Sequence, residues 1–266
     1  MSQRYPFQTM TLGFGLSSLS PYCDPDTLYL HHGQYYAQKV RELNHLVSKH
    51  RLTNLSLEEL LTQDINMPVA QLARLKGAAG AVYNHELYFD GIQSVMDTPP
   101  LNKLTGVLIG VYGSINAFKR LLLEAADSLP GAGWVWLVAE RSGGPHIVIT
   151  DNNDAVDLQA VQPIFVADLW EHAYFLDDQF DKEKYLDYWF SFIDWNKAEA
   201  RFEQSRTSAA CGSEPMKKTK RRQPWPLCRD WRFAILLSVG HKSSLLFPCG
   251  NEGADSAGHA ADGHGL

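Results

Sequence analysis

The stretch Asp168–Asp178, DLWEHAYFLDD, follows directly on the apolar run PIFVA and places Asp168, Glu171 and His172 within five positions. A chain that leaves a buried strand and at once presents two acids and a histidine admits two readings. In one, the strand ends and Asp168 caps the helix that follows. In the other, Asp168 and His172 are two ligands of a metal whose remaining ligands lie far upstream. The stretch by itself leaves both open.

Working outward, QPIFVAD before it has strand character, and GWVWLVAERSGGPHIVIT (133–150) reads as two buried strands around a Ser-Gly-Gly turn. YLDYWFSFIDWNKAEARF (185–202) closes this half as a helix, and residues 101–127 form another amphipathic helix. The first half is helical throughout. CDPDTLYLHHGQYYAQKVRELNHLVSKH (23–50) begins with Asp24 as a cap and Pro25 in the first turn, with Leu28, Leu43 and Leu46 at helical spacing. Ser56 and Glu59 form a capping box over SLEELL. Pro68 opens a long helix that stops before DTPP (97–100). The expected class is α+β: an N-terminal helical hairpin domain (1–95), followed by a C-terminal domain with a three-stranded antiparallel sheet and helices (96–206).

The chain has 266 residues, 45% of them apolar, which is enough for a proper core. It contains no apolar run of about 18 residues, so no membrane span or membrane partner is expected. The start, MSQRYPFQTM, has neither a signal core nor transit-peptide character. The four cysteines (23, 211, 228 and 249) form no framework and no CxxC, and a cytoplasmic location fits best. The charge divides near residue 206: a net of −9 before it and +3 after it, within the overall −6. The segment 207–266 carries KKTKRR and the short apolar run FAILLSV, and is expected to be a solvated, disordered extension without an assigned role. Nucleic-acid binding through its basic cluster is not expected.

The histidines sort by context. His31 lies one turn into the first helix and His85 in the second long one, so antiparallel helices would bring both to one point. Gly77 and Ala81, eight and four residues before His85, leave that face open. His32, His45, His50 and His146 lack such context and read as surface or structural. Two helical histidines with Asp168 and His172 make a set of three imidazoles and one hard carboxylate, suited to Fe or Mn.

At this point YPF near the start, LHHGQYYAQKV, GAVYNHELYF, GAGWVWLV and VADLWEHAYFLD are similar, block by block and in order, to the iron/manganese superoxide dismutases. The similarity covers about residues 4–204. It implies His31, His85, Asp168 and His172 as ligands of one Fe or Mn per subunit, with solvent as a fifth. It also implies conversion of superoxide to dioxygen and hydrogen peroxide by an antioxidant oxidoreductase. Trp134, Trp136 and Trp170 would form the aromatic shell. Glu171 would cross a two-fold interface to the partner's ligand histidine, giving a homodimer in which each site depends on the other subunit.

The departures from that pattern concentrate around the ligands. The family places a histidine four residues after the first ligand and a tyrosine eight after it, as a gateway and proton relay. Here those positions hold Tyr35 and Lys39. Phe175 stands where a tyrosine pairs with the partner's gateway histidine. Neither position that supplies a solvent-binding glutamine has one: Ala81 occupies the first and Asn153 the second. Lys39, and Lys182 in place of a steering arginine, would draw an anion toward an acidic body. Tyr35, Lys39 and Asn153 therefore stand as substituted catalytic neighbours of an intact ligand set. The main expectation is an active dismutase. The alternative is a metal-binding, dismutase-like scaffold with weak or no activity.

Overall fold

A computed structural model of the chain describes residues 3–140 and 144–210. The Ser142-Gly143 part of the expected turn, the cluster KKTKRR, the run FAILLSV and Cys211, Cys228 and Cys249 lie outside the described residues.

Asp24 and Pro25 start the first helix as their chemistry dictates: the Asp24 carboxylate accepts from Asp26 N, and Pro25 sits where no amide donor is needed. The segment then continues without a break as α1 (Pro25–Leu28), a wide π-helical stretch (Tyr29–Tyr36) and α2 (Ala37–Lys49). The π-helical stretch carries both His31 and Tyr35, and such widened turns recur at functional sites. Ser56 and Glu59 form the reciprocal capping box that opens α3 (Leu57–Thr62). Helix α4 (Val69–Asp90) packs against α2, with Leu43, Leu46 and Val47 buried on one side and Leu75, Ala79 and Val82 on the other. Each buried leucine contributes about 1.5–3 kcal/mol relative to exposure. The Ala- and Gly-rich face of α4 allows that approach.

The second half departs from the sequence reading in two places. The helix expected over 101–127 is broken at Gly113, whose φ of 87° ends α5 (Lys103–Tyr112), and Ser114 at once caps α6 (Ile115–Asp127). The two helices are bent by 74° at that break. Likewise, after the short α7 (Phe175–Asp178), the closing helix is two: α8 (Lys182–Ser191) stops at Phe192, and Asp194 accepts from Asn196 N and Lys197 N to start α9 (Trp195–Ala210). Among the described residues no single helix is long and apolar enough to cross a membrane.

The sheet has the order β2-β1-β3, all antiparallel, from β1 (Gly133–Glu140), β2 (Pro145–Asp151) and β3 (Val161–Asp168). Central β1 is buried along nearly its whole length, as its uninterrupted apolar sequence requires. In register, Trp134 of β1 lies between Thr150 of β2 and Asp168 of β3. The two halves are tied by Gln93 N→Phe192 O and Asp194 N→Gly91 O, and by Asp90, which pairs with Lys197 and Arg201.

Candidate metal centre

Four side chains from four places in the fold converge. The π-helical stretch supplies His31, α4 supplies His85, and the last residue of β3 supplies Asp168. A short 3-10 turn (Glu171–Ala173) supplies His172. Asp168 caps no long helix: its Oδ1 accepts from Trp170 N at 2.9 Å, which fixes the chain's exit from the strand, and its Oδ2 faces inward. That oxygen lies 3.0 Å from His31 Nε2, 3.1 Å from His172 Nε2 and 3.5 Å from His85 Nε2. His85 Nε2 and His172 Nε2 are 3.4 Å apart. One donor atom from each residue lies within 4.8 Å of all the others.

Hydrogen bonding alone does not account for this convergence. His85 Nδ1 is 2.6 Å from the carbonyl of Ala81, which can only accept, so the proton of a neutral ring sits on Nδ1. Its Nε2 therefore presents a lone pair to a carboxylate oxygen and to another imidazole nitrogen. Electron pairs aimed at one point from several sides are complementary to a cation.

The electrostatics agree with the geometry. Burial pushes the His85 imidazole down to about 3. Burial also lowers His31, against the opposing hydrogen bond and charge of Asp168. Burial alone would raise the Asp168 carboxyl, but the charge and hydrogen bond of His172, with those of His31, outweigh it and hold the group well below the usual carboxylate range. Near neutral pH, His31 and His85 are thus neutral imidazoles beside an ionised carboxylate, the protonation state in which such groups bind a metal. The donor set, three nitrogens and one hard oxygen, fits Fe or Mn.

Aromatic rings enclose the cluster. Trp134 meets His85 edge-on at 4.9 Å between centroids, and Trp170 lies stacked at 5.8 Å from His172. Trp136 is buried in the sheet core, where its Nε1 donates to Thr150 Oγ1. The sequence reading missed Tyr36, Tyr88 and Phe89, which flank His31 and His85. The doublets YY and YF beside two histidines were the available signal.

The substituted neighbours divide. Tyr35 stacks on His172 at 4.0 Å, and the Asn153 side chain acts on its hydroxyl, favouring the ionised form. Burial and the charge of Asp168 push that hydroxyl up to about 12, with Asn153 opposing. Among the described residues, Asn153 Oδ1 is buried without a hydrogen-bond partner. Lys39 Nζ lies 5.3 Å from the centre of the Tyr35 ring and 3.5 Å from Glu42 Oε2. Lys182 is engaged elsewhere: its ammonium donates to the Ala126 carbonyl at 3.0 Å, in a groove between α6 and α8. Glu171 is exposed on the single chain. His32 is bound to the Met10 carbonyl, outside the cluster.

Also missed was the mounting of Asn153. The loop after β2 rests on Gly80 of α4, where an added Cβ would stand 1.9 Å from the Asn153 carbonyl oxygen. Asn84 Nδ2 and Thr150 Oγ1 both donate to Asp154 O, and Trp170 Nε1 donates to Asn152 O.

Comparison with known proteins gives the same answer along both halves. Residues 6–93 match the family model for iron/manganese superoxide dismutases, alpha-hairpin domain, and residues 100–201 match that for the C-terminal domain. A superoxide dismutase [Mn] of Haemophilus ducreyi is 31% identical over 212 residues, 77% of this chain and 98% of the relative. Similarly named proteins of Thermus thermophilus and Leptolyngbya boryana are 29% and 30% identical, covering 76% and 77% of this chain and 99% and 86% of the relatives.

Proposed function

We propose a metal assignment, a proton donor and an assembly from the premise that this chain belongs to the iron/manganese superoxide dismutase family. Its activity is that of the family, conversion of superoxide to dioxygen and hydrogen peroxide. The finer reading is that His31, His85, Asp168 and His172 hold one Fe or Mn ion per subunit. The observation that carries it is the convergence of the four donor atoms, with the His85 tautomer fixed by Ala81.

An Fe or Mn ion bound there supplies a one-electron couple that can take an electron from one superoxide and return it to another. The chain supplies the rest. Asp168 offers the single negative charge among the donors and is itself oriented by the Trp170 amide. Tyr36, Phe89 and Trp134 exclude water from the buried sides. His172 is the one ligand with an exposed edge, 20% accessible, and Tyr35 lies against it. Peroxide formation consumes two protons. Tyr35 remains protonated at neutral pH and lies against the His172 ring, so it is placed to donate one.

The assembly proposed is a two-fold dimer in which Glu171 reaches the partner's matching ligand histidine. Support comes from the surface around it. Glu171 is exposed, and the same segment leaves Phe175, Leu176 and Phe180 at 41%, 61% and 89% exposure. A cluster of exposed apolar side chains this close to the site marks an interaction surface. A cytoplasmic location is supported by the cysteine pattern, four cysteines without a CxxC spacing. The complete ligand set favours an active enzyme over an inactive scaffold.

His85→Ala tests the metal assignment. It removes one of four ligands and is expected to abolish stoichiometric Fe or Mn, measured by elemental analysis of the purified folded protein. A variant that keeps a full complement of metal refutes the ligand set.

A further inference from the structure

Two equal spacings frame a path outward from the ligands. Glu42 stands eleven residues after His31, and Arg74 eleven residues before His85. Within α4 eleven residues are about three helical turns, so Arg74 lies on the same face as His85, whereas from His31 the path runs first through the wider π-helical stretch and then along α2. α2 and α4 pack together, and the two side chains meet: Arg74 Nε and Nη2 donate to Glu42 Oε1 at 3.2 and 3.1 Å. The second carboxylate oxygen, Oε2, faces Lys39 Nζ. Lys39 lies over Tyr35, and Tyr35 over His172, so the chain of contacts runs from a surface arginine to a ligand imidazole. The charge of Glu42 also reaches Tyr35, adding to the upward push on its hydroxyl after burial and Asp168.

We propose that Glu42 is a positioning residue for anion capture: clamped by Arg74, it holds the Lys39 ammonium back and sets how much of its charge an incoming superoxide meets. This rests on the reading of the site as a dismutase centre. The arginine fork fixes the carboxylate in one place, which a lysine could not do as firmly. With Glu42 shared, Lys39 is only partly neutralised. It can leave a long contact of 3.5 Å for an anion arriving at the His172 edge. The device follows from three side chains at +8, +11 and −11 from two ligand histidines.

The test is a double-mutant cycle on the metal-loaded protein with azide as a non-reacting anion probe, its affinity read from the optical spectrum at low and physiological salt. Turnover is measured alongside. Glu42→Gln is expected to tighten azide by about two- to tenfold at low salt, the range for removing one charge near the mouth. It is also expected to steepen the salt dependence. Lys39→Met is expected to weaken binding and flatten that dependence. The double variant should match Lys39→Met, because Glu42 acts through Lys39. An equal gain from Glu42→Gln in the Lys39→Met background overturns the proposal, as does no change in the single variant. Failure of the underlying reading has its own signature: a wild-type protein that takes up no metal and gives no azide spectrum, which removes the proposal with it.

Discussion

Replacing Gly80 with alanine should unseat Asn153. The added Cβ would lie 1.9 Å from the Asn153 carbonyl oxygen and 3.1 Å from its carbonyl carbon. Both are backbone atoms, so no rotamer change relieves the clash. Restoring ordinary contact requires the loop to retreat by about 1–1.5 Å. The loop is held by Asn84 Nδ2 and Thr150 Oγ1 on Asp154 O, at 3.2 and 2.8 Å, so retreat strains or breaks both bonds. Two hydrogen bonds at about 1 kcal/mol each and overpacking of about 1–3 kcal/mol give an expected loss of roughly 3–5 kcal/mol. Displacing Asn153 by that distance also changes what faces the Tyr35 hydroxyl, and misplacements of about 1 Å cost on the order of 100-fold in rate. Urea unfolding, metal analysis and steady-state dismutation on one preparation measure all three quantities. Metal should be retained, because no proposed ligand is mounted on the loop, while stability and rate fall. Stability within about 0.5 kcal/mol of wild type together with an unchanged rate would refute the argument.

Glu171→Ala should weaken the dimer and lower metal affinity or activity by about 10–100-fold; an unchanged dimer with full metal and rate, by sedimentation and metal analysis, excludes the cross-subunit bridge. Truncation after Ala210, where α9 ends, should leave metal content and rate unchanged, since every proposed ligand precedes it. A folded truncated protein with a large activity loss contradicts this. Glu86 gives a pH prediction. Burial pushes its carboxyl up to about 8 from 4.5, so between those values the folded state binds a proton that the unfolded chain has released. Stability should therefore fall as pH rises through that window. Glu86→Gln retains an acceptor for Gln3 and Tyr36 and removes the titration. Its stability relative to wild type should rise across the window, measured by urea unfolding at several pH values; a constant difference refutes it.

The parts of this fold legible in the sequence are those set by local chemistry. Asp24 and Pro25, and the Ser56–Glu59 box, need only neighbours in the chain to act as they do. The convergence of His31, His85, Asp168 and His172 was legible because helical spacing and the DLWEHAY block each point to a shared centre. Both helix breaks carried a local sign that a longer apolar period masked: Gly113-Ser114 is a C-terminal glycine followed by an N-cap, and Asp194 is a cap within an aromatic run. Other features have no local sign. Gly80 matters because of a loop about 70 residues away in sequence, and Lys182 turned to Ala126 because α8 packs on α6. Placing either requires the tertiary arrangement itself.

The proposed donors come two from each half of the chain: His31 and His85 from the helical hairpin, Asp168 and His172 from the sheet domain. Neither half offers more than two of the four, so an ion held by all of them would act as a rivet through the interdomain seam. Metal supply then becomes a mechanical variable. Loading stabilises the joined state by RT ln(1 + [L]/Kd), and Tm should climb with free metal concentration. The first amides to gain protection from hydrogen exchange on loading should be those where α4 meets β3, along the seam the rivet closes.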